Sequence, residues 1–333
     1  MNKNEFLLTI NSENNIPKYQ QVVNAINNAI AENYFQKGDA LPSVNKMSSS
    51  TKLSKDTVFR AYTILKENGS IDSVPNKGYY VANDIKKVLL LLDTFKAYKE
   101  VVYHAFVKNL PENIETDMQF HHYNIENFKV ILENSKGKYY KYVIMPFNHK
   151  EVPIALSVID NDKLLLLDWN VHSNKSNNYV FQDFGKAFYM ALEEALNPLK
   201  KYKEIVFLYP DFTFHPKETV TYFKKFCLMY RFKSQLITNP NSFKIKSGNA
   251  YISISDRMLG KFLEQCRVKD LEPGKDIGFL SYNETPMKKF IYKGISVVST
   301  DFAEIGNKAA EFVMSNNPMQ YYVPTKLTLR ESL

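Results

Sequence analysis

The sequence is poor in the features that mark secreted and membrane-inserted proteins. Among 333 residues there are two cysteines, Cys227 and Cys266, and no CxxC pair, which excludes a disulfide framework. The apolar run at residues 6–10 is too short for the core of a signal peptide. No run approaches the roughly 20 apolar residues that span a membrane. We therefore expect a cytoplasmic protein.

Sequence signatures of catalysis and metal binding are also missing. There is no GxSxG, HExxH or Walker-type motif. The six histidines include one adjacent pair, His121 and His122, and neighbouring residues on a strand point to opposite faces, so the pair cannot share one ion. Both cysteines lie in apolar, helix-like surroundings typical of a core. We predict no catalytic residue, no metal site and no enzymatic activity.

The composition is that of a folded protein, with 44% hydrophobic and 23% charged residues. At roughly 150 residues per domain, the length predicts about two domains. The net charge of +8 raises the possibility of a nucleic-acid partner. However, residues 1–84 hold nine basic and eight acidic residues, and the remaining 34 and 27 follow later. A solvated basic surface would give the same bulk excess, so the local placement of the cations has to decide.

Residues 1–84 carry the pattern of three helices and a hairpin. Apolar residues at three- and four-residue spacing predict a first helix within residues 16–34. Ser43 and Ser54 are N-cap candidates for a second and a third helix. Two β-prone stretches, 70–74 and 79–82, follow and are separated by a turn. This order is typical of a winged helix-turn-helix domain.

In a helix-turn-helix domain the second helix of the motif enters the DNA major groove with its N-terminal residues facing the bases. Cationic and polar side chains cluster at this helix, at the preceding helix and at the wing tip. An arrangement used for protein contacts alone is the alternative. The predicted DNA-binding residues are Ser43, Asn45, Lys46, Lys52, Ser54, Lys55, Thr57, Arg60, Lys77 and Gly78.

These residues resemble the GntR-type bacterial transcriptional regulators. The resemblance implies operator binding by the winged helix. Three positions depart from the usual pattern: Asn45 and Lys55 stand in place of arginine, and Asn76 in place of glycine. Lysine lacks the bidentate fork of arginine, so we expect an altered base preference. The matching segments are Ile16-Pro17-Lys18-Tyr19-Gln20, residues 38–44, residues 54–58 and Gly78-Tyr79-Tyr80-Val81.

From residue 85 onward, apolar strands alternate with helices, which predicts an α/β domain of doubly wound parallel sheets. Ligands of such sheets bind beyond the carboxyl ends of the strands. The predicted strands are 88–92, 142–145, 163–168, 204–209, 250–254 and 276–280. The predicted helices include 98–108, 185–196, 219–230 and 258–266.

The residues that follow these strands combine carboxylates and amides with flat aromatic rings. Sugars present hydroxyls and apolar C–H faces, so this mixture favours a carbohydrate effector, and a nucleobase or an amphipathic acid would also fit. The predicted effector-binding residues at strand ends are Phe95, Asp168, Trp169, Asp256, Arg257, Tyr282 and Asn283.

This region is similar to the LacI-type effector domain, which has the two-lobed periplasmic-binding-protein fold. The resemblance implies that Asp168, Asp256 and Asn283 hold effector hydroxyls, and it adds Asp183 at the start of a second-lobe helix as a further effector residue. Trp169 and Ser255 replace the family's arginine and asparagine. The second-lobe arginine has no clear counterpart. The matching segments are Leu167-Asp168-Trp169, Gln182-Asp183-Phe184-Gly185, residues 253–260, residues 273–279 and Tyr282-Asn283-Glu284.

Together these resemblances imply a regulator with a DNA-binding domain at residues 1–84 and an effector-binding and dimerisation domain at 85–333. We expect a homodimer on a pseudo-palindromic operator, repressing sugar-utilisation genes until a small sugar releases it. No cofactor is expected. Two alternatives stay open: a DNA-binding dimer whose second domain no longer binds ligand, and an enzyme acting on a sugar or nucleotide.

Overall fold

The computed structural model describes residues 6, 8–11, 16–75, 77–82, 86–170, 178–315 and 317–333. Asn76 and the predicted domain boundary between residues 84 and 85 lie outside the described residues. No helix in these ranges is both long and apolar enough to cross a membrane.

The first domain is the predicted winged helix-turn-helix. Ser43 and Ser54 cap their helices, because each hydroxyl accepts a hydrogen bond of 3.2 Å from the backbone N–H of Lys46 and Thr57, respectively. Apolar residues from all three helices and both strands form one core. The elements are α1 (Lys18–Ala31), α2 (Val44–Thr51), α3 (Lys55–Glu67) and the antiparallel pair β1 (Ile71–Val74) and β2 (Gly78–Val81).

The first sheet of the larger domain is wholly parallel, in the order β13-β7-β6-β5-β3-β4. Its strand β3, which lies between β5 and β4, is apolar and buried from Val88 to Leu92, as the sequence predicts. Its strands are β3 (Lys86–Leu92), β4 (Ile114–Phe120), β5 (Lys141–Ile144), β6 (Leu164–Asp168), β7 (Tyr179–Gln182) and β13 (Gln320–Val323). Its helices are α4 (Ala97–Lys108), α5 (Ile125–Ser135), α6 (Val152–Leu156) and α11 (Phe302–Met314).

The second sheet has the order β14-β12-β11-β10-β8-β9. It is parallel except at one edge, where β14 runs antiparallel to β12, a feature that the sequence analysis did not predict. Its strands are β8 (Glu204–Leu208), β9 (Ser234–Ile237), β10 (Asn249–Ser253), β11 (Gly278–Tyr282), β12 (Ser296–Thr300) and β14 (Thr325–Thr328). Its helices are α7 (Lys186–Glu194), α8 (Leu196–Leu199), α9 (Glu218–Met229) and α10 (Asp256–Lys269).

The chain crosses between the two sheets three times: after β7, after β12, and between β13 and β14. Each sheet with its helices therefore forms one lobe. The carboxyl ends of β3, β5 and β6 in the first lobe and of β10 and β11 in the second border a common cleft, as expected for a two-lobed domain of doubly wound sheets.

His121 and His122 do not lie on a strand, so the reasoning that placed them on opposite faces was wrong. They follow β4, and His122 has a left-handed backbone with φ of +51°. His121 is buried, with its Nε2 atom 2.9 Å from the carbonyl oxygen of Met145. Within the described residues no group of three or more His, Cys, Asp or Glu side chains is placed to hold a metal ion.

Helix α11 lies against α4 through a glycine. A Cβ atom on Gly306 would stand 2.4 Å from the carbonyl oxygen of Val102 and 2.8 Å from the Cβ atom of Ala105. These neighbours belong to the backbone and to a short side chain, so they cannot move aside without shifting the helix. Gly306 thus sets the distance between two helices that cover the first sheet.

Gly306→Ala should lower the melting temperature, although alanine in a helix interior normally gains about 1 kcal/mol over glycine. Overpacking typically costs roughly 1–3 kcal/mol, and Gly306→Leu should cost more than Gly306→Ala. Thermal unfolding followed by circular dichroism measures the series. A melting temperature that rises with alanine would contradict the close helix contact.

Candidate functional site

A cleft of about 470 Å³ lies between the lobes, at the carboxyl ends of the strands. Phe95 and Asp183 lie elsewhere. The ring of Phe95 is half-exposed and meets Phe120 edge-on at 5.9 Å between centroids. Asp183 accepts hydrogen bonds of 2.9 Å from two backbone N–H groups at the start of α7. Six of the eight predicted effector residues line the cleft: Asp168, Trp169, Asp256, Arg257, Tyr282 and Asn283.

Asp168 is the last residue of β6, and its backbone is left-handed, with a φ of +74°. Its carboxylate accepts a hydrogen bond from the Gln182 amide. The hydroxyl of Thr300 donates to the other end of that amide at 2.7 Å, and lies 3.0 Å from the hydroxyl of Thr325. Burial raises the pKa of the Asp168 carboxyl, and the charge of Lys99 opposes this.

A second carboxylate, Asp93, lies at the end of β3 and is already neutralised. It pairs with Lys99 and accepts a hydrogen bond from the hydroxyl of Tyr123. Lys99 is fully buried, and burial lowers the pKa of its ammonium to about 8. Lys99 was not predicted as a cleft residue, because a lysine on an amphipathic helix is normally solvated.

Asp256 has a partner that the sequence analysis also missed. Its carboxylate lies 2.7 Å from the ammonium of Lys288, which is buried and donates a further hydrogen bond of 2.6 Å to the carbonyl of Asn283. Lys288 therefore fixes two predicted effector residues relative to each other on the second-lobe wall.

Three buried polar atoms in the cleft have no hydrogen-bond partner within the described part of the chain: His215 Nε2, Tyr282 Oη and Asn283 Oδ1. Burial lowers the pKa of His215 to about 3, so its imidazole is neutral at neutral pH. Leaving a buried polar group unpaired costs roughly 1–3 kcal/mol. A ligand that supplies donors and acceptors at these three atoms would recover that free energy.

Aromatic rings supply the apolar part of the cleft. Tyr123 of the first lobe stacks on Phe214 of the second, with centroids 3.8 Å apart and planes 6° apart. Trp169 follows a first-lobe strand, yet packs against the core of the second lobe. The guanidinium of Arg257 lies 5.3 Å from the ring centre of Phe212. The cleft thus joins flat apolar faces to hydrogen-bonding groups.

The predicted DNA-binding residues lie mostly at the solvent-exposed surface of the winged helix. Nine of the ten are exposed, and Thr57 is half-buried beside the cap of α3. The guanidinium of Arg60 lies over the ring of Tyr19 at 4.1 Å, so this side chain is held against α1. Lys55 extends from the first turn of α3, where free backbone N–H groups favour phosphate.

The sequence profile of the bacterial regulatory proteins, gntR family, matches residues 18–81. The uncharacterized HTH-type transcriptional regulator YhcF of Bacillus subtilis is 30% identical over 96 residues, which are 29% of this chain and 77% of YhcF. YcxD of the same organism, also an uncharacterized HTH-type transcriptional regulator, is 38% identical over 64 residues, 19% of this chain. This chain spans 14% of the length of YcxD.

These matches define a bacterial regulatory protein of the helix-turn-helix type. The chain belongs to the gntR family.

Solved structures that are similar in fold match the two-lobed domain. The trehalose repressor from Escherichia coli superposes with a TM-score of 0.62 and 15% identity, over 73% of this chain and 100% of the repressor. A LacI family transcriptional regulator from Arthrobacter sp. FB24, in complex with lactose, gives 0.62 and 14%, over 74% of this chain and 99% of that protein. The fold is therefore that of the LacI-type effector domain.

The buried, neutral His215 predicts a pH dependence of stability. An unfolded histidine takes up a proton near pH 6.5, whereas folded His215 does so only near pH 3. The unfolded state thus binds more protons in this window, and stability falls as the pH decreases below 6.5.

Between pH 6.5 and 5 the loss assigned to His215 is about 2 kcal/mol, at about 1.4 kcal/mol per pH unit. Urea unfolding at the two pH values should show a smaller loss in His215→Gln than in the wild type. His121, whose pKa burial lowers to about 4, keeps part of the dependence. If His215→Gln lost as much free energy of unfolding between pH 6.5 and pH 5 as the wild type, that result would contradict a buried, neutral His215.

Proposed function

We propose that the chain is a transcriptional regulator that binds operator DNA through its winged helix and a small sugar in the cleft between its lobes. It acts in the cytoplasm, where its DNA target lies, and it catalyses no reaction on the bound sugar. The observation that carries the proposal is the set of three unpartnered polar atoms beside stacked aromatic rings in the cleft.

A sugar suits this cleft for chemical reasons. Its hydroxyls both donate and accept, so they can pair with the imidazole nitrogen of His215, the hydroxyl of Tyr282 and the amide oxygen of Asn283. The carboxylate of Asp168 adds a strong acceptor. Trp169 offers a ring face to the apolar side of a pyranose or furanose. One neighbour in fold is described with lactose and others with glucose, sucrose and ribose.

DNA recognition is assigned to the exposed N-terminal end of α3 and to the wing. Lys46, Lys52 and Lys77 would contact phosphates, and Ser54 and Lys55 would face the bases. Each chain carries one recognition helix, so a two-fold dimer would read two half-sites of a pseudo-palindromic operator.

The second copy of the chain would be seated on an apolar groove of about 870 Å³ between α4 and α10. Val101 and Met287 on its rim are 37% and 68% exposed. Exposed apolar surface of this kind marks an interaction site. Since the groove is lined from both lobes, a change in lobe position would alter the dimer and the spacing of its two recognition helices. We expect the sugar to favour the arrangement that releases DNA.

Tyr282→Phe should weaken sugar binding without destabilising the free protein. The hydroxyl has no hydrogen-bond partner among the described residues, so its removal relieves a buried unpaired group. Losing one hydrogen bond to the sugar costs about 0.5–1.5 kcal/mol, roughly a two- to tenfold rise in Kd. Isothermal titration with glucose, ribose, lactose and sucrose measures the change for each sugar that binds the wild type.

Tyr202→Phe is the matched control, because the Tyr202 hydroxyl is also buried and unpartnered but lies outside the cleft. It should preserve both stability and sugar affinity. Equal affinities for Tyr282→Phe and the wild type would move the sugar away from this wall. Binding of none of the four sugars by the wild type would count against the proposed effector class.

Lys55→Ala should weaken binding to operator DNA, because it removes a cation from the reading end of α3. Lys66→Ala is the control on the same helix. It removes an equal charge from the opposite end, where Lys66 pairs with Asp72 at 3.2 Å. Anisotropy titrations at one salt concentration, on an operator selected from random duplexes, should show a loss of about tenfold for Lys55→Ala alone. Equal affinities for the two variants would misplace the recognition helix.

A further inference from the structure

Helix α1 has two faces, and the core of the winged helix explains only one. Val22, Ile26 and Ile30 point into that core. A second line along the helix is formed by Gln20, Asn24 and Asn27, which are spaced by four and three residues. We call these three residues the amide stripe. No charged residue occurs from position 19 to position 31, although the solvent-facing side of a helix normally carries charge.

The amide stripe contacts the first lobe of the effector domain. The side-chain amide of Asn24 donates a hydrogen bond of 3.0 Å to the carboxylate of Asp160. The amide of Asn27 donates one of 3.1 Å to the carbonyl oxygen of Gly137. These bonds join residues more than 100 positions apart in the chain, so they belong to a contact between the two domains.

At the N-terminal end of the amide stripe, the side chain of Gln20 packs closely against the backbone of Gly137. Gln20 is 5% exposed, and its amide donates to Asn24 at 3.1 Å. A Cβ atom on Gly137 would stand 1.6 Å from the Gln20 Nε2 atom. The backbone of Gly137 thus occupies the place of a side chain, with a φ of +67° that suits glycine.

Beyond the C-terminal end of the stripe, the ammonium of Lys86 donates to the carbonyl oxygen of Ala31 at 2.5 Å. Ala31 is the last residue of α1, where carbonyl groups lack helical partners and a cation is favourable. The same ammonium lies 4.8 Å from the ring centre of Tyr140. The contact therefore runs along α1 from Gln20 to Ala31.

The first-lobe partners of α1 all lie at the amino-terminal ends of strands in the first sheet. Lys86 begins β3, Gly137 precedes β5 and Asp160 precedes β6. We propose that the amide stripe is an intramolecular docking surface. It holds the winged helix against the amino ends of strands β3, β5 and β6 in the first sheet of its own chain.

The carboxyl ends of the same three strands line the cleft. The five-residue strand β6 is about 17 Å long and ends at Asp168, and Asp160 precedes it across a single 3-10 turn (Asn161–Lys163), so a short, direct stretch of backbone joins the docking surface to the cleft. A role for this link in regulation rests on the proposed function. The docking itself does not, and the following experiment tests it without DNA or sugar.

The experiment is a double-mutant cycle on the full chain, with Asn24→Ala and Asp160→Ala made singly and together. If the two side chains bond across the docking surface, the combined fall in melting temperature is smaller than the sum of the single falls by about 2 °C or more. Both residues are at the surface of their own domains, so each variant is expected to fold.

The control cycle replaces Asn24→Ala by Asn28→Ala, a neighbouring asparagine of α1 outside the amide stripe. Its effect should add to that of Asp160→Ala. Additive effects for Asn24→Ala would overturn the docking, whatever the protein binds. The two proposals can also be separated. If the operator or sugar titrations above detect no binding while the Asn24→Ala and Asp160→Ala effects are non-additive, the proposed function is contradicted and the docking is supported.

Discussion

The arrangement of the two lobes depends on a series of hydrogen bonds between residues at the three crossings that connect them. It leads from Asp168 through the amide of Gln182 and the hydroxyl of Thr300 to Thr325. Gln182 is the last residue of β7, before the first crossing, and Thr300 is the last residue of β12, before the second. Thr325 is the first residue of β14, after the third crossing. One end of this series is open to the cleft. Asp168 in the cleft wall is therefore joined by hydrogen bonds to residues at all three crossings between the lobes.

Much of the fold could be predicted from local sequence. The continuous apolar run of β3 and the caps Ser43 and Ser54 are short-range signals, and the structure bears out both. Strand β4 was missed because it is an edge strand whose residues alternate in polarity and are half-buried. Strands β13 and β14 were missed because their partners lie far away in the chain, and pairing at such separation leaves little local trace.

The residues of the cleft also fall into those that local sequence predicts and those that it does not. The rule that ligands bind beyond strand ends led to Asp168, Tyr282 and Asn283, since position along a strand is readable from sequence. Tyr123 and His215 come from loops that the fold brings back to the same place. Lys99 and Lys288 are buried cations, contrary to the usual preference of lysine for water, and only their carboxylate partners explain them.

The position of Trp169 has one more consequence. It is the sole tryptophan of the chain, and it lies in the wall of the cleft. Indole emission depends on the polarity around the ring, so light absorbed by tryptophan alone reports on this one location. The winged helix contributes nothing to that signal. The protein thus contains an intrinsic fluorophore, with no label attached, whose emission wavelength and intensity depend on what surrounds the indole ring in the wall of the cleft.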